Sequence, residues 1–293
     1  MMSAILVLLL LVYMALSVVM GLREVRSARQ AQEPGQAQAS AQPAVRAEET
    51  RRLRLYRATI LQSWGVTLCL GLVALAGGFT LSQLGLGAFS QASFGVNPVF
   101  ATVAFVVCGG FCVYLVAQCI YLQRNHEALS RAWQQTEKDA VAAMLIPRSL
   151  RERRLFLLVA LTAGICEEFV MRGLAFALLQ DFFPGMSVYL LPVVAGLVFG
   201  AMHAYQGVAG VAKTGALGAL LGCLYLATGT LYPAMLAHFV IDATNCLIAP
   251  PERAADTDGA HEASESLAVE PVNPFEAPTP HVVIIDEGLT DRR

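Results

Sequence analysis

A largely apolar block between Leu155 and Ala249 contains six ionisable residues that fall into three short motifs. An ionisable side chain at the centre of a bilayer costs about 2.5–3.5 kcal/mol on insertion scales, so such residues usually have a function. The first motif holds two adjacent carboxylates and an arginine, the second a histidine, and the third a histidine with a carboxylate. The six residues are Glu167, Glu168, Arg172, His203, His238 and Asp242. These are the residue types that make up acid/base catalytic sites.

Helical geometry separates the roles within the first motif. Glu168 and Arg172 are four residues apart, so they face each other on one side of a helix. Glu167 is rotated about 100° away from Glu168. We therefore predict a self-compensated Glu168–Arg172 pair and leave Glu167 as the free carboxylate, which can serve as a general base. The alternative is a salt-bridged network that only locks the helices together.

The two histidines come with neighbours one helical turn away. Phe199 precedes His203 by four residues, so its ring can pack on the imidazole and fix its orientation, and His203 with Glu167 can orient and activate a water. His238 and Asp242 are also four residues apart and share a face. Such a pair can act as base and orienter, as metal ligands, or as donors to a developing oxyanion. The alternative for His238 and Asp242 is a polar contact that holds two helices together.

The composition excludes a soluble globular protein. The chain is 56% hydrophobic and 14% charged, with a mean hydropathy of +0.57, whereas soluble proteins have about 25% charged residues. Because a spanning helix needs about 20 apolar residues, we predict an all-α, polytopic transmembrane bundle of seven spanning helices. The predicted spans are 4–22, 58–81, 99–122, 155–180, 188–204, 209–228 and 231–249. The last four carry the motifs and are the predicted four-helix core.

The loop charges predict the orientation of these helices. Segment 23–57 contains eight arginines, and segment 123–154 contains six arginines and a lysine, whereas 82–98, 181–187 and 229–230 contain no Lys or Arg. Basic loops stay in the cytoplasm. We therefore predict a multi-pass protein of the cell inner membrane, with its N-terminus outside and its C-terminal tail cytoplasmic.

Two arginine clusters directly precede apolar runs. We expect both at the headgroups of the inner leaflet, and we interpret them as topology signals in preference to sites for a specific lipid. The clusters are Arg51, Arg52, Arg54 and Arg57, and then Arg148, Arg151, Arg153 and Arg154.

These features divide the chain into six predicted regions. The predicted regions are an N-terminal transmembrane helix (1–22), a cytoplasmic basic linker (23–57), two transmembrane helices (58–122), a cytoplasmic loop (123–154), the catalytic core (155–249) and a disordered acidic tail (250–293). The tail is assigned as disordered because its ten acidic residues and its prolines cannot build an apolar core.

The three motifs in this order, each on its own apolar helix, resemble the CPBP family of intramembrane proteases, which includes CAAX prenyl proteases and bacterial Abi-type relatives. The resemblance covers 155–249 and implies a glutamate-dependent endopeptidase without a cofactor. Glu167 would match the general base, helped by His203 to activate water. His238 and Asp242 would match the pair that stabilises the oxyanion.

In the same resemblance, Glu168 and Arg172 would match a supporting ion pair, with Phe199 beside them. Many relatives have Asn where this chain has Asp242. An aspartate can donate a hydrogen bond to an oxyanion only when it is protonated; otherwise Asp242 would act by orienting His238.

Two alternative functions stay open at the level of sequence. Glu167, His203, His238 and Asp242 are legitimate Zn²⁺ ligands, so a zinc-dependent membrane protease is one alternative, although no His-Glu-x-x-His helix is present. The other is a non-enzymatic scaffold or a proton-linked transporter, since buried carboxylates and histidines also build proton relays. The predicted partners are the lipid bilayer and a protein or peptide substrate, possibly lipidated, and not nucleic acid.

Overall fold

A computed structural model describes residues 2–31, 41–89, 94–138 and 140–247, and every regular element in these ranges is a helix. The predicted all-α class is therefore confirmed. The α-helices are α1 (Met2–Ala31), α2 (Ala41–Ala76), α3 (Pro98–Arg124), α4 (His126–Lys138), α5 (Ala140–Leu145), α6 (Leu150–Glu168), α7 (Ala175–Phe182), α8 (Leu190–Met202), α9 (Gly207–Thr228) and α10 (Tyr232–Leu247). Short π-helical segments cover Ser82–Leu86 and Phe169–Leu174, and a 3₁₀ turn covers Ala204–Gln206.

Four of the described helices are long and apolar enough to cross a bilayer. These candidate spans are Ser3–Arg23, Arg46–Ala76, Pro98–Arg124 and Ala204–Thr228. The other three predicted spans are also helical, but α8 has only 13 residues, α10 has 16, and the helix from Leu150 carries several charges. The chain is thus an integral membrane protein, and the seven-span arrangement stays a prediction.

The structure describes part of the basic linker and none of the acidic tail. The basic linker, 23–57, is helical wherever the structure describes it, because α1 continues to Ala31 and α2 already begins at Ala41. The acidic tail, 250–293, lies outside the described residues.

A buried ion pair joins α2 to the first turn of α6. Arg52 Nε donates a 2.6 Å hydrogen bond to Glu152 Oε1, and both side chains are almost completely buried. The Arg52 side chain is therefore not available to a lipid headgroup, while the headgroup depth of the two arginine clusters stays a prediction. The Arg52 guanidinium faces the protein because a carboxylate on the neighbouring helix compensates its charge, and a buried charge requires such a partner.

The same Glu152 side chain also caps α6. Its Oε2 accepts hydrogen bonds from the backbone N–H groups of Arg148 and Ser149, at 2.7 and 2.9 Å. Ser149 Oγ in turn accepts from the Glu152 N–H, which completes a capping box. One carboxylate therefore fixes both where α6 begins and where it meets α2.

Close backbone contacts between helices depend on small residues. A Cβ on Gly164 would lie 2.9 Å from the carbonyl oxygen of Met235, so α6 and α10 approach closely one turn before the paired glutamates. Between α8 and α9, Gly196 and Gly200 pack against the backbone around Gly215 in the same way. In membrane bundles, small residues at helix crossings permit this approach. The crossings bring α6, α8, α9 and α10 together around the three motifs.

We predict that Glu152→Ala strongly destabilises the protein. The substitution removes the buried partner of Arg52, which keeps only the exposed Glu48 at 3.5 Å, and it removes the cap of α6. Breaking a buried pair in this way costs about 3–5 kcal/mol. The measurement is the free energy of unfolding of the full-length protein in detergent micelles. The matched control is Glu127→Ala, which breaks an exposed 3.0 Å pair with Arg131 and should cost no more than about 1 kcal/mol. Equal losses in the two variants would contradict the structural role of Glu152.

Candidate active site

Glu168 is the centre of the polar network. Its Oε1 accepts two hydrogen bonds of 2.7 Å, one from Arg172 Nη1 and one from His238 Nδ1. Arg172 uses Nη2 to donate to the Gly218 carbonyl of α9 at 2.8 Å. The side chains of Glu168 and Arg172 are 0% exposed. A single carboxylate oxygen therefore connects the helix of the first motif to α10, and through Arg172 to α9.

The helix between Glu168 and Arg172 is not a regular α-helix. Phe169–Leu174 form a π-helical segment, in which the Ala175 N–H donates to the carbonyl of Val170 five residues earlier. Such segments are rare and often occur at functional sites. The Glu168–Arg172 contact persists across this wider turn, but the turn itself was not predicted from the regular 3.6-residue period of the sequence.

The two ring nitrogens of His238 have different neighbours: Nδ1 contacts Glu168, and Nε2 faces two further carboxylates. A carboxylate can only accept, so Nδ1 carries the proton in the bond to Glu168. Nε2 then lies 3.5 Å from Asp242 Oδ2 and 3.9 Å from Glu167 Oε2. Both distances exceed those of a regular hydrogen bond. The structure thus brings His238, Glu167 and Asp242 together, and the bond from His238 to Glu168 was not predicted from the sequence.

Exposure changes sharply across this network. The side chains of Glu168 and Arg172 are completely buried, and that of His238 is 6% exposed. The side chains of Glu167 and Asp242 are 26% and 33% exposed. The supporting pair is therefore inaccessible, whereas the two carboxylates that face Nε2 can be reached from outside. Such an arrangement is expected of an active site, where buried groups hold the reactive side chains in fixed positions next to the substrate.

His203 is oriented by the backbone of its own helix. Its Nδ1 lies 2.8 Å from the Phe199 carbonyl oxygen, and because a carbonyl only accepts, this nitrogen carries the proton and Nε2 is left for the site. His203 also lies close enough to Glu167 to act electrostatically on its carboxylate. The ring of Phe199 lies 4.7 Å from that of His203, as the four-residue spacing predicted.

Phe199 also contacts the rest of the network. Its ring centroid lies 6.1 Å from that of His238, edge to face, and the guanidinium carbon of Arg172 lies 5.0 Å from the ring. One aromatic side chain therefore packs against both histidines and the arginine. The sequence indicated only the first of these contacts, because the other two join different helices.

Several residues near the site gave no signal, or a weak one, in the sequence. Tyr205 follows His203 by two residues, its ring centroid lies 5.6 Å from that of His203, and its side chain packs against Gly21 of α1. Tyr205 and Tyr13 both lie within electrostatic range of Glu167. Tyr13 is on the first helix, more than a hundred residues from the motifs, and only the tertiary packing brings it there.

The candidate site contains residue types that bind metal ions elsewhere. Among the described residues, no group of three or more His, Cys, Asp or Glu side chains has an arrangement suited to a metal ion.

Residues 151–244 match the family model described as type II CAAX prenyl endopeptidase, Rce1-like. This segment is therefore similar to that family. The Rce1-like segment makes up about a third of the chain and contains all three motifs. The family indicates a protease, which is a hydrolase. The resemblance drawn from the motifs is confirmed at this level. No curated protein and no solved structure matches the chain.

We predict that Gly218→Ala destabilises the Rce1-like segment. A Cβ at this position would lie 3.0 Å from Phe199 Cδ1 and 3.3 Å from Arg172 Nη2, so it would crowd both partners, and overpacking of this kind costs about 1–3 kcal/mol. The control is Gly110→Ala in α3, where a Cβ meets nothing within 4 Å and better helix propensity should be neutral or stabilising. The free energies of unfolding are compared, and a Gly218→Ala variant as stable as Gly110→Ala would contradict the contact.

Proposed function

We propose that residues 155–249 form the catalytic core of a glutamate-dependent intramembrane endopeptidase. The enzyme hydrolyses a peptide bond of a membrane-associated or lipid-anchored protein or peptide. The observation that carries the proposal is the position of His238, whose Nδ1 is held by Glu168 while Nε2 faces Glu167 and Asp242. The family of residues 151–244 supplies the reaction class.

In this mechanism Glu167 is the general base and His203 its partner. Glu167 takes a proton from a water molecule while the water oxygen attacks the carbon of the scissile carbonyl. His203 orients that water through Nε2, because its Nδ1–H is already committed to the Phe199 carbonyl. The partial exposure of Glu167 supports this role, since a general base has to meet both water and substrate.

His238 and Asp242 act on the oxygen of the same carbonyl. That oxygen gains negative charge as the carbon becomes tetrahedral, and a fixed donor stabilises the charge without rearranging. His238 donates from Nε2 as an imidazolium, while Nδ1–H stays on Glu168. Asp242 is a second donor when it is protonated, and otherwise it stabilises and orients the imidazolium. When the intermediate collapses, the C–N bond breaks and the proton held by Glu167 passes to the leaving nitrogen.

Glu168, Arg172 and Phe199 are positioning residues in this proposal. The Glu168–Arg172 pair fixes His238 through one short hydrogen bond, and Phe199 packs against both histidines. None of the three needs to touch the substrate. Their function is to keep the imidazoles at fixed distances from the two partly exposed carboxylates.

We propose that the chain lies in the cell inner membrane and crosses it seven times. Its N-terminus is then outside and its acidic tail is in the cytoplasm. The four helical segments that carry the motifs form the core, and the site opens towards the cytoplasm. The basic loops 23–57 and 123–154 support this orientation. The helices before residue 123 are then available to shape the path by which a substrate enters.

The proposed substrates are proteins or peptides at the membrane, including prenylated ones. The family description names CAAX prenyl endopeptidases, and a lipid anchor would bring a peptide to the depth of helices that are themselves in the bilayer. The scaffold and transporter alternatives receive no support from the family, which is one of hydrolases.

We predict that Glu167→Gln abolishes cleavage while the protein still folds. Glutamine has nearly the shape of glutamate but cannot take a proton from water, and a general base contributes about 10²–10⁴-fold to the rate. Membrane proteins of cells expressing the wild-type or variant chain are compared for new termini by proteomics, and the candidate substrates are then cleaved with purified enzyme. The control, Glu127→Gln, changes an exposed carboxylate of α4 and should cleave normally. A folded Glu167→Gln variant with unchanged cleavage would reject Glu167 as the base.

We also predict that proteolysis survives removal of metal. The purified protein, dialysed against EDTA and then against 1,10-phenanthroline, should retain its cleavage rate, because the proposed groups supply both base and oxyanion donors. Inhibition by the chelators that added Zn²⁺ reverses would instead establish the zinc-dependent alternative.

A further inference from the structure

A cleft with an unusual charge lies between α2 and α6, away from the candidate active site. It has a volume of about 510 Å³. Its lining is half basic and half apolar. The residues are Leu53 and Arg57 of α2 and Leu150, Arg151, Arg154 and Leu155 of α6.

Among the described residues, no carboxylate neutralises the three arginines of this cleft. In the ranges for which the structure gives positions, none of Arg57, Arg151 and Arg154 forms an ion pair with a carboxylate. The nearest acid in sequence, Glu152, is turned inward, where Arg52 and two backbone N–H groups occupy both of its oxygens. Three like charges that converge on one cleft repel each other unless an anion joins them.

The cleft is also preformed. The buried Arg52–Glu152 pair joins the same two helices, with Arg52 next to Leu53 in α2 and Glu152 next to Arg151 in α6. This pair fixes the spacing of the two walls. A site whose walls are already held pays less conformational entropy when a ligand binds.

The position along the helices indicates the kind of anion. Arg57 is the last charged residue before the uncharged run 58–123, and Arg154 directly precedes the apolar run that starts at Leu155. Both therefore lie where each helix passes from polar to apolar surroundings, the depth of lipid headgroups. Leu150 is 71% exposed at the rim, so an apolar chain has a surface beside the charges.

We infer that this cleft binds the headgroup phosphate of an anionic phospholipid, with the acyl chains along the leucines. Guanidinium groups contact phosphate oxygens in a bidentate way, which a topology signal alone would not require. The second arginine cluster thus does more than orient the helices. Arg57 from the first cluster and Arg151 and Arg154 from the second form one site.

The test titrates the full-length protein in neutral detergent with dioctanoyl phosphatidylglycerol, dioctanoyl phosphatidylcholine or inorganic phosphate. Binding is followed as an increase in melting temperature, because a ligand that binds only the folded state stabilises it. The variant R57Q/R151Q/R154Q removes the cleft charges. The control R54Q/R124Q/R131Q removes the same charge from exposed positions outside the cleft.

The expected result is that phosphatidylglycerol stabilises the wild type and the control, whereas its affinity for the cleft variant is roughly tenfold to a hundredfold lower. Equal binding by the cleft variant, or equal binding of phosphatidylcholine, would overturn the inference. Full stabilisation by inorganic phosphate alone would overturn the lipid assignment and leave a phosphate-ion site.

A second variant keeps the test decisive if the glutamine variant does not fold. R57K/R151K/R154K retains the charge but cannot make bidentate contacts. It should bind phosphatidylglycerol severalfold more weakly than the wild type. Unchanged affinity would assign the binding to net charge and overturn a built site.

Discussion

The burial of the Glu168–Arg172 ion pair is the constraint on which the rest of the site depends. Two charges removed from water are tolerable only when the geometry is good and further hydrogen bonds compensate them. Here Arg172 reaches Glu168 at 2.7 Å and the Gly218 carbonyl at 2.8 Å, and Glu168 takes a second donor from His238. Among the described residues, Glu168 Oε2 and Arg172 Nε have no hydrogen-bond partner. The need to satisfy one buried pair therefore fixes the relative positions of α6, α9 and α10.

Small residues make this network reachable. Gly164 lets the backbone of α10 approach α6, which brings His238 to Glu168, and Gly218 leaves room for Phe199 and the guanidinium of Arg172. At the other end of α6, Glu152 combines a helix cap with a buried ion pair to α2. The helix that carries Glu167 is thus held at both ends by a buried carboxylate. This gives the exposed Glu167 and Asp242 a rigid support, which a preorganised site requires.

Much of the local arrangement was predictable because it depends on helical spacing. The Glu168–Arg172 contact, the packing of Phe199 on His203 and the approach of His238 to Asp242 all join residues four apart, and that spacing places side chains on one face. Contacts between helices were not predictable in this way. Neither the bond from His238 to Glu168 nor that from Arg52 to Glu152 follows from a period, because each depends on how two segments distant in sequence pack.

The sequence by itself determined the class of the protein, its helical segments and the identity of the motif residues. Long apolar runs can satisfy their backbone in a bilayer only as helices, and charged residues within them are costly enough to indicate a function. Only the tertiary structure decided which carboxylate supports His238, which arginines are buried and which line a cleft. Those outcomes depend on partners across helix crossings and on a π-helical turn at Phe169–Leu174, and no one-dimensional pattern specifies where two helices touch.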